Sequence, residues 1–458
     1  MQISELIIKE IVDQVTAQFA KPSGANGIFS TMEEAISAAK TAQAIMQKKD
    51  MAERERIISF IRKVTIDNAE TFAYMAVEET GMGNVAHKVL KHQLTANKTP
   101  GTEDITTRAW SGDRGLTLVE MAPFGVIGAI TPSTNPSETI ICNTIGMLAG
   151  GNTVVFNTHP AAVKTSNFAI QMINRASVEA GGPNNIATGV EIPTIESGKV
   201  MMSHPDIQLL VATGGPGLVK AVLSSGKRGI GAGAGNPPVL VDETADLQKA
   251  AEDIINGATF DNNLPCIAEK AIVALAPIAN ELMYHFTTQQ DCYYASDAEI
   301  AKLQSIVFTE KGLNRKCVGK SASHLLNMIG VNAPKARCII FEGAKEHPFI
   351  SEELMMPILG MVIAADFNEG LDIAAYLEHG YRHSAHIHSK NVDRITQYAR
   401  RLDTAILVKN APSYAALGFG GEGYCTFTIA SKTGEGLTSA STFTKQRRCV
   451  MSDALCIR

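Results

Sequence analysis

A cysteine closes the tight polar loop Phe260-Asp261-Asn262-Asn263-Leu264-Pro265-Cys266, downstream of the glycine-alanine run GAGAGNPP from Gly231 to Pro238. A thiolate attacks carbonyl carbon readily, and the acyl group it then holds must pass to a second nucleophile. The upstream run holds no carboxylate that could activate water for that purpose. Cys266 as a nucleophile without such a base points to acyl transfer rather than hydrolysis.

Three further segments carry chemistry. The run from Lys227 to Pro238 spaces Gly229, Gly231 and Ala234 as G-x-G-x-x-A. A dinucleotide fingerprint must follow a strand and open a helix, because the pyrophosphate sits on the helix N-terminus. Here Pro237 and Pro238 lead into an extended run instead. Gly231, Ala232 and Gly233 read as a glycine-lined wall that lets a ligand or backbone approach closely. Thr213, Gly214 and Gly215 follow the apolar run Leu209 to Ala212 and open a helix with Pro216 and Gly217. They form either an anion seat of free backbone N–H groups or a plain glycine-rich turn. The stretch Pro123 to Pro136 ends an apolar run in the rigid turn Thr131-Pro132-Ser133-Thr134-Asn135-Pro136. Asn135 there could donate an amide hydrogen bond to an oxyanion or close an Asx turn.

The elements that must position these groups alternate. Strand-like runs at 125–131, 152–157, 207–212 and 238–241 interleave with helical stretches at 161–180, 195–203 and 217–225. Such alternation implies right-handed crossovers and a mostly parallel sheet covered on both faces. Thr31 or Ser30 caps the first of the preceding helices, with Glu33 and Glu34 in its first turn. Past Asp242 a second α/β region begins: Asp246 caps a helix over 247–257 that delivers the chain to Cys266, and 271–275 follows as a buried strand. Further strands are expected at 338–341 and 361–365, and helices near 370–379 and 393–402.

Bulk properties narrow the function. The 458 residues exceed one ordinary core, so two or three domains are expected. A net charge of −5 offers no basic footprint for nucleic acid. No stretch has the apolar length to span a bilayer, and residues 1–30 lack the pattern of a cationic segment, an apolar core and a small-residue cleavage site, so the expected location is the cytoplasm. The eight cysteines form no C-x-x-C pair and no Cys/His array of zinc spacing, so no metal is expected. The histidines, including His383, His386 and His388, supply no convincing ligand set.

In order and spacing the segments PFGVIGAITPSTNP, NTVVFNTHP (Asn152 to Pro160), VATGGP (Val211 to Pro216), the Cys266 loop, EELMMP (Glu352 to Pro357) and GFGG (Gly418 to Gly421) resemble a CoA-acylating aldehyde dehydrogenase. The likeness covers essentially everything after residue 29. It implies an α/β fold with a Rossmann-like cofactor domain over 30–241, an oligomerisation hairpin inserted at 107–120, a catalytic domain over 242–426 and an oligomerisation segment over 427–458. It makes Cys266 the nucleophile, with Asn135 and the Cys266 backbone N–H as the oxyanion hole. NAD, with NADP as the alternative, would lie against Thr131, Pro132, Ser133, Asn157, His159, Thr213, Gly214, Gly215, Gly231, Ala232, Gly233 and Glu353. Among these, Glu353 would hold the nicotinamide ribose and Thr213 to Gly215 the pyrophosphate.

Departures from the pattern are informative. The glutamate that activates water in hydrolytic relatives aligns at about Ala232, so that base is missing. Asn157 and Pro160 stand where a lysine and a glutamate usually meet the adenosine ribose. Coenzyme A is the implied acyl acceptor, and a two- or three-carbon aldehyde the implied substrate. With no histidine adjacent in sequence, activation of the thiol is expected from backbone N–H groups and the bound cofactor.

Residues 1–19 are expected to form a short amphipathic helix, with Ile3, Leu6, Ile7, Ile11, Val12, Val15 and Phe19 at helical spacing, and 20–29 a linker of Pro, Gly and polar residues. This resembles the encapsulation peptides of enzymes housed in bacterial microcompartments, which implies shell or core proteins as partners and the compartment lumen as location. A homodimer or homotetramer is expected. The rival readings are a hydrolytic or phosphate-linked aldehyde dehydrogenase, and a catalytically idle scaffold protein.

Overall fold

The computed structural model describes residues 25–310 and 312–457. The amphipathic helix and most of the linker lie outside the described residues. The first parallel sheet contains β1 (Ile28–Phe29), β4 (Val126–Ile130), β5 (Thr153–Asn157), β6 (Ala187–Val190), β7 (Ile207–Thr213) and β8 (Arg228–Ala232), in the order β1-β6-β5-β4-β7-β8. The intervening strands β2 (Arg108–Gly112) and β3 (Gly115–Pro123) form a separate hairpin. The chain leaves β4 toward β5 and β6 on one side, then returns to β7 and β8 on the other. The carboxyl ends of β4 and β7 therefore flank the switch point where doubly wound sheets bind ligands.

A second parallel sheet holds β9 (Pro238–Val241), β10 (Ala271–Leu275), β11 (Cys292–Tyr294), β14 (Cys338–Glu342), β15 (Ile358–Ala364), β16 (Ser384–His388) and β17 (Ile406–Lys409). Its order is β11-β14-β15-β10-β9-β16-β17. Two short ladders lie outside both sheets: β12 (Phe308–Thr309) with β13 (Gly312–Leu313), and β18 (Ile429–Ala430) with β19 (Gly436–Leu437). The last strand, β20 (Thr444–Ser452), pairs antiparallel with β3 and completes a three-stranded sheet.

Local chemistry accounts for the helix starts. Thr31, rather than Ser30, caps Met32–Met46 through a capping box with Glu34, and Asp246 caps Leu247–Thr259. Every residue of β4, β5, β9 and β10 is buried, as expected for strands covered on both faces.

Three expectations need correction, and a fourth observation places part of the expected oligomerisation segment. The linker ends before Ile28, because Ile28 and Phe29 pair in parallel with Gly189 and Val190 at the edge of the first sheet. The boundary at 241 falls too late, since β9 pairs with β10 and β16 and belongs to the second sheet. Within the glycine run, Gly229 and Gly231 lie in β8, where a Cβ would come within 3.0 Å of Val222 and 2.6 Å of Val219. Those two glycines let the Pro216–Leu223 helix pack close to the sheet. Finally, within the expected oligomerisation segment Ala430, Ala440 and Phe443 are buried in the core of the first sheet, and from Thr444 the chain runs along the hairpin.

Candidate active site

Cys266 lies ahead of β10, at the amino end of the second sheet, facing the carboxyl ends of the first. Its loop holds an unusual backbone: Asp261, Asn262 and Asn263 all have positive φ, at 51°, 53° and 67°. Asx residues tolerate this region better than other side chains, and the surroundings must still hold them there. Asn263 Nδ2 donates to the Ala258 and Glu269 carbonyls at 2.8 and 3.0 Å. Asn262 Nδ2 donates to the Gly83 and Gly319 carbonyls at 3.1 and 2.9 Å. Buried Lys270 donates to Asn263 Oδ1 at 2.6 Å and to the Asn263 and Pro265 carbonyls at 2.9 and 3.3 Å. His386 Nε2 lies 2.9 Å from the Ile267 carbonyl, fixing the chain on the far side of the nucleophile.

One cavity of about 630 Å³ joins this loop to the first sheet. Its wall takes Thr131, Pro132, Ser133 and Asn135 from the end of β4, Asn157 and His159 from the end of β5, and Thr213, Gly214 and Gly215 from the end of β7. Gly233, Cys266 and Glu353 also line it, and Glu353 is the only carboxylate among its described lining residues. Gly231 and Ala232 do not reach it: Ala232 is buried, pairs with Thr213 across the ladder and accepts a hydrogen bond from Gly214 N–H at 3.0 Å.

Electrostatics at the floor are set by burial. Burial, with the Glu353 carboxylate, pushes the Cys266 thiol up to about 12, while the Lys270 ammonium pulls against them. Burial also raises Glu353 to about 7, opposed by Lys270 and the Gly235 backbone. Near neutrality Glu353 therefore exchanges a proton readily, and the resting cysteine is a thiol. Asn135 accepts at Oδ1 from Lys91 Nζ at 2.5 Å, and its Nδ2 has only a 3.3 Å contact to Thr134 Oγ1. The amide end that can donate is thus turned away from the lysine.

The cavity fits a dinucleotide. The Thr131 and Thr158 hydroxyls, at the ends of β4 and β5, are buried with no hydrogen-bond partner among the described residues, and both line the cavity where a ligand would supply one. Gly215 and Gly233 border open space where a Cβ would meet nothing within 4 Å. Asn157 is engaged by protein, donating to the Thr194 carbonyl at 3.3 Å and accepting from Ser197 Oγ at 2.7 Å. His159 Nδ1 accepts from Ala161 N–H at 3.1 Å, which leaves its other ring nitrogen for a ligand.

Three supporting groups escaped sequence reasoning. Lys91, Lys270 and Glu269 are all buried beside the site, but charged side chains on helices or before strands read as solvated until their neighbours are known. The one available signal was the clustering of Glu269 and Lys270 just after the nucleophile.

Comparison with known proteins agrees with this architecture. Residues 19–306 match the aldehyde dehydrogenase family. A propanal dehydrogenase (CoA-propanoylating) of Citrobacter freundii is 46% identical over 462 residues, covering 100% of both chains. The structure of a propionaldehyde dehydrogenase from the Clostridium phytofermentans fucose utilisation bacterial microcompartment superposes with a TM-score of 0.94 at 73% identity, over 94% of this chain and 100% of that one. A Rhodopseudomonas palustris propionaldehyde dehydrogenase with bound CoA and an acylated cysteine gives 0.93 at 53% identity, over 94% and 100%.

The first sheet is doubly wound, and its switch point opens onto the loop that carries Cys266. The chain belongs to the aldehyde dehydrogenase family.

Among the described residues no helix is long and apolar enough to cross a membrane, and no group of three or more His, Cys, Asp or Glu is placed to hold a metal ion.

Proposed function

We propose that the chain is an acylating aldehyde dehydrogenase that converts a short-chain aldehyde and coenzyme A to acyl-CoA. The observation that carries this reading is that Cys266 and Asn135 share one cavity whose wall offers no carboxylate at the glycine run, while Gly233 stands open there. A relative aligned over the whole chain is named as a CoA-propanoylating propanal dehydrogenase, and another, matched over 94% of the chain, was captured with CoA and an acylated cysteine.

Aldehyde enters over Cys266, whose thiol gives up its proton to water as the backbone N–H groups around the loop and the bound cofactor favour the thiolate. The sulfur attacks the carbonyl carbon, and the new oxyanion is held by Asn135 Nδ2 and the Cys266 backbone N–H. Nicotinamide, when bound, supplies the hydride acceptor. As the C–O double bond reforms, Cys266 carries the acyl group as a thioester. The coenzyme A thiolate then attacks that carbonyl, the same oxyanion hole serves again, and the Cys266 sulfur leaves. One thioester replaces another, so the exchange runs in either direction.

Several finer features belong to this proposal. NAD is the preferred nicotinamide, with NADP the alternative; an engineered glycolyl-CoA reductase of similar fold holds NADP+. Thr131, Thr158, Gly215 and Gly233 would line the dinucleotide, and Glu353 its ribose. The sheet formed by β2, β3 and β20 is an oligomerisation surface, because both β2 and β20 are edges that another subunit can cover. Residues 1–19 direct the enzyme to a microcompartment lumen, as the origin of the Clostridium relative supports.

The test is an absorbance assay for reduced nicotinamide with acetaldehyde, propanal and butanal, with each nicotinamide, and with or without coenzyme A. Sustained turnover only with coenzyme A is expected. Equal turnover without it would favour a hydrolytic enzyme using Glu353 as its base.

A further inference from the structure

The Val85–Lys98 helix turns a polar stripe inward: Lys88, Lys91, His92 and Thr95 are buried, at helical spacing. Burying two ammonium groups is costly unless each is paired. Lys91 Nζ lies 2.5 Å from Asp261 Oδ2 in the cysteine loop and 3.0 Å from Glu138 Oε1 in the first turn of the Pro136–Ala149 helix. Lys88 Nζ lies 3.0 Å from the same Asp261 oxygen. Two cations face two anions, so the cluster is neutral within the interior. Burial alone would push the Lys91 ammonium down, but Asp261 and Glu138 carry it above its usual range.

The two lysines also hold the turn that bears Asn135. Lys88 Nζ donates to the Thr134 carbonyl at 3.0 Å, and Lys91 Nζ donates to Asn135 Oδ1 at 2.5 Å. An ammonium on the amide oxygen fixes the flip of that amide, so Nδ2 is the end left to donate from this cavity-lining residue. It also draws electron density from the amide nitrogen and strengthens its N–H as a donor. Neither lysine is among the charges that act most on the Cys266 thiol, which are Glu353 and Lys270.

We propose that Lys91 is a positioning residue for the oxyanion hole, acting through the Asn135 amide to orient and polarise the donor that receives the developing charge. This rests on the reading of Asn135 as that donor.

A double-mutant cycle in the full-length enzyme, assayed with propanal, NAD and coenzyme A, separates the two. Asn135→Ala should lower kcat about 10²- to 10³-fold. Lys91→Met should lower it about tenfold or more, with KM for the aldehyde within about threefold, since the loss falls on the transition state. In Lys91→Met/Asn135→Ala the lysine change should cost no more than about twofold beyond Asn135→Ala. Alkylation of Cys266 by iodoacetamide, which needs no oxyanion hole, should stay within about twofold of the parent throughout. If Lys91→Met does not fold, Lys91→Met/Glu138→Gln removes one buried ion pair as a unit and enters the same cycle. Losses that multiply, a Lys91→Met enzyme of parental kcat, or alkylation that falls along with turnover would each overturn the inference while leaving Asn135 in place. An Asn135→Ala enzyme of near-parental kcat would overturn both.

Discussion

Lys270 Nζ lies 2.6 Å from Asn263 Oδ1 and 2.9 Å from the carbonyl oxygen of the same residue, so one buried cation grips both acceptors of the third left-handed residue in the nucleophile loop. That grip links loop shape to thiol chemistry, because the same ammonium opposes the rise in the Cys266 pKa.

Lys270→Met should therefore act twice. Leaving buried acceptors unsatisfied costs about 1–3 kcal/mol each, which calorimetry or denaturant titration would register as a lower Tm or midpoint. Iodoacetamide should also alkylate Cys266 more slowly at neutral pH, because the thiol loses the cation that pulls its pKa down.

The resting thiol, pushed up to about 12, predicts that alkylation of the cofactor-free enzyme keeps climbing from pH 7 to 10, without a plateau near the ordinary thiol value of about 8.5. Adding NAD at fixed pH should accelerate it if the bound cofactor activates the thiol. A plateau below pH 9 in the free enzyme would show that the buried environment does not govern this sulfur.

Glu269 supplies a stability test with a definite sign. Its carboxyl is buried, accepts from Ser413 N–H at 2.9 Å through Oε1 and is raised by burial to about 8, with Ser413 pulling the other way. An acid raised in the folded state binds more protons there than in the unfolded chain between the unfolded value of about 4.3 and 8. Its contribution to stability is thus full below that window and lost as pH rises through it. Glu269→Gln should match the parent near pH 4.5 and exceed it at pH 8, as urea unfolding at the two pH values would show.

The missing water-activating base can be probed at two neighbouring positions with opposite outcomes. Ala232 is buried against β7, so Ala232→Glu should destabilise the protein without hydrolysis. Gly233 borders open cavity, so Gly233→Glu should fold and raise reduced-nicotinamide production in the absence of coenzyme A. Unchanged coenzyme A dependence in a folded Gly233→Glu enzyme would mean that base loss alone does not explain the acyl transfer.

Much of this was legible in the sequence because it is local. The apolar runs that became β4, β5, β7, β9 and β10 announce buried parallel strands, and Cys266 and Asn135 sit in turns whose residue types betray them. What escaped is what depends on distant partners. The edge strand β1 has two residues, β6 reads Ala-Thr-Gly-Val, and β8 alternates glycine with other residues, so each carries at most two β-branched residues and none an apolar run long enough to read as a strand. Gly231 and Ala232 looked like ligand contacts because their glycine-rich setting suggests close approach. The approach is real, but in β8 it is made by the neighbouring helix. Lys91 lies on a helix, where a lysine usually faces water, and only the meeting of three segments at Asp261, Glu138 and Asn135 gives it a buried place.

The central claim is a covalent acyl-enzyme on one sulfur. Enzyme mixed with propanal and NAD in the absence of coenzyme A, quenched in acid and digested, should show the mass of one propionyl group on the peptide containing Cys266, and coenzyme A added before the quench should remove it. An unmodified Cys266 peptide under those conditions, while reduced nicotinamide accumulates, would contradict the account.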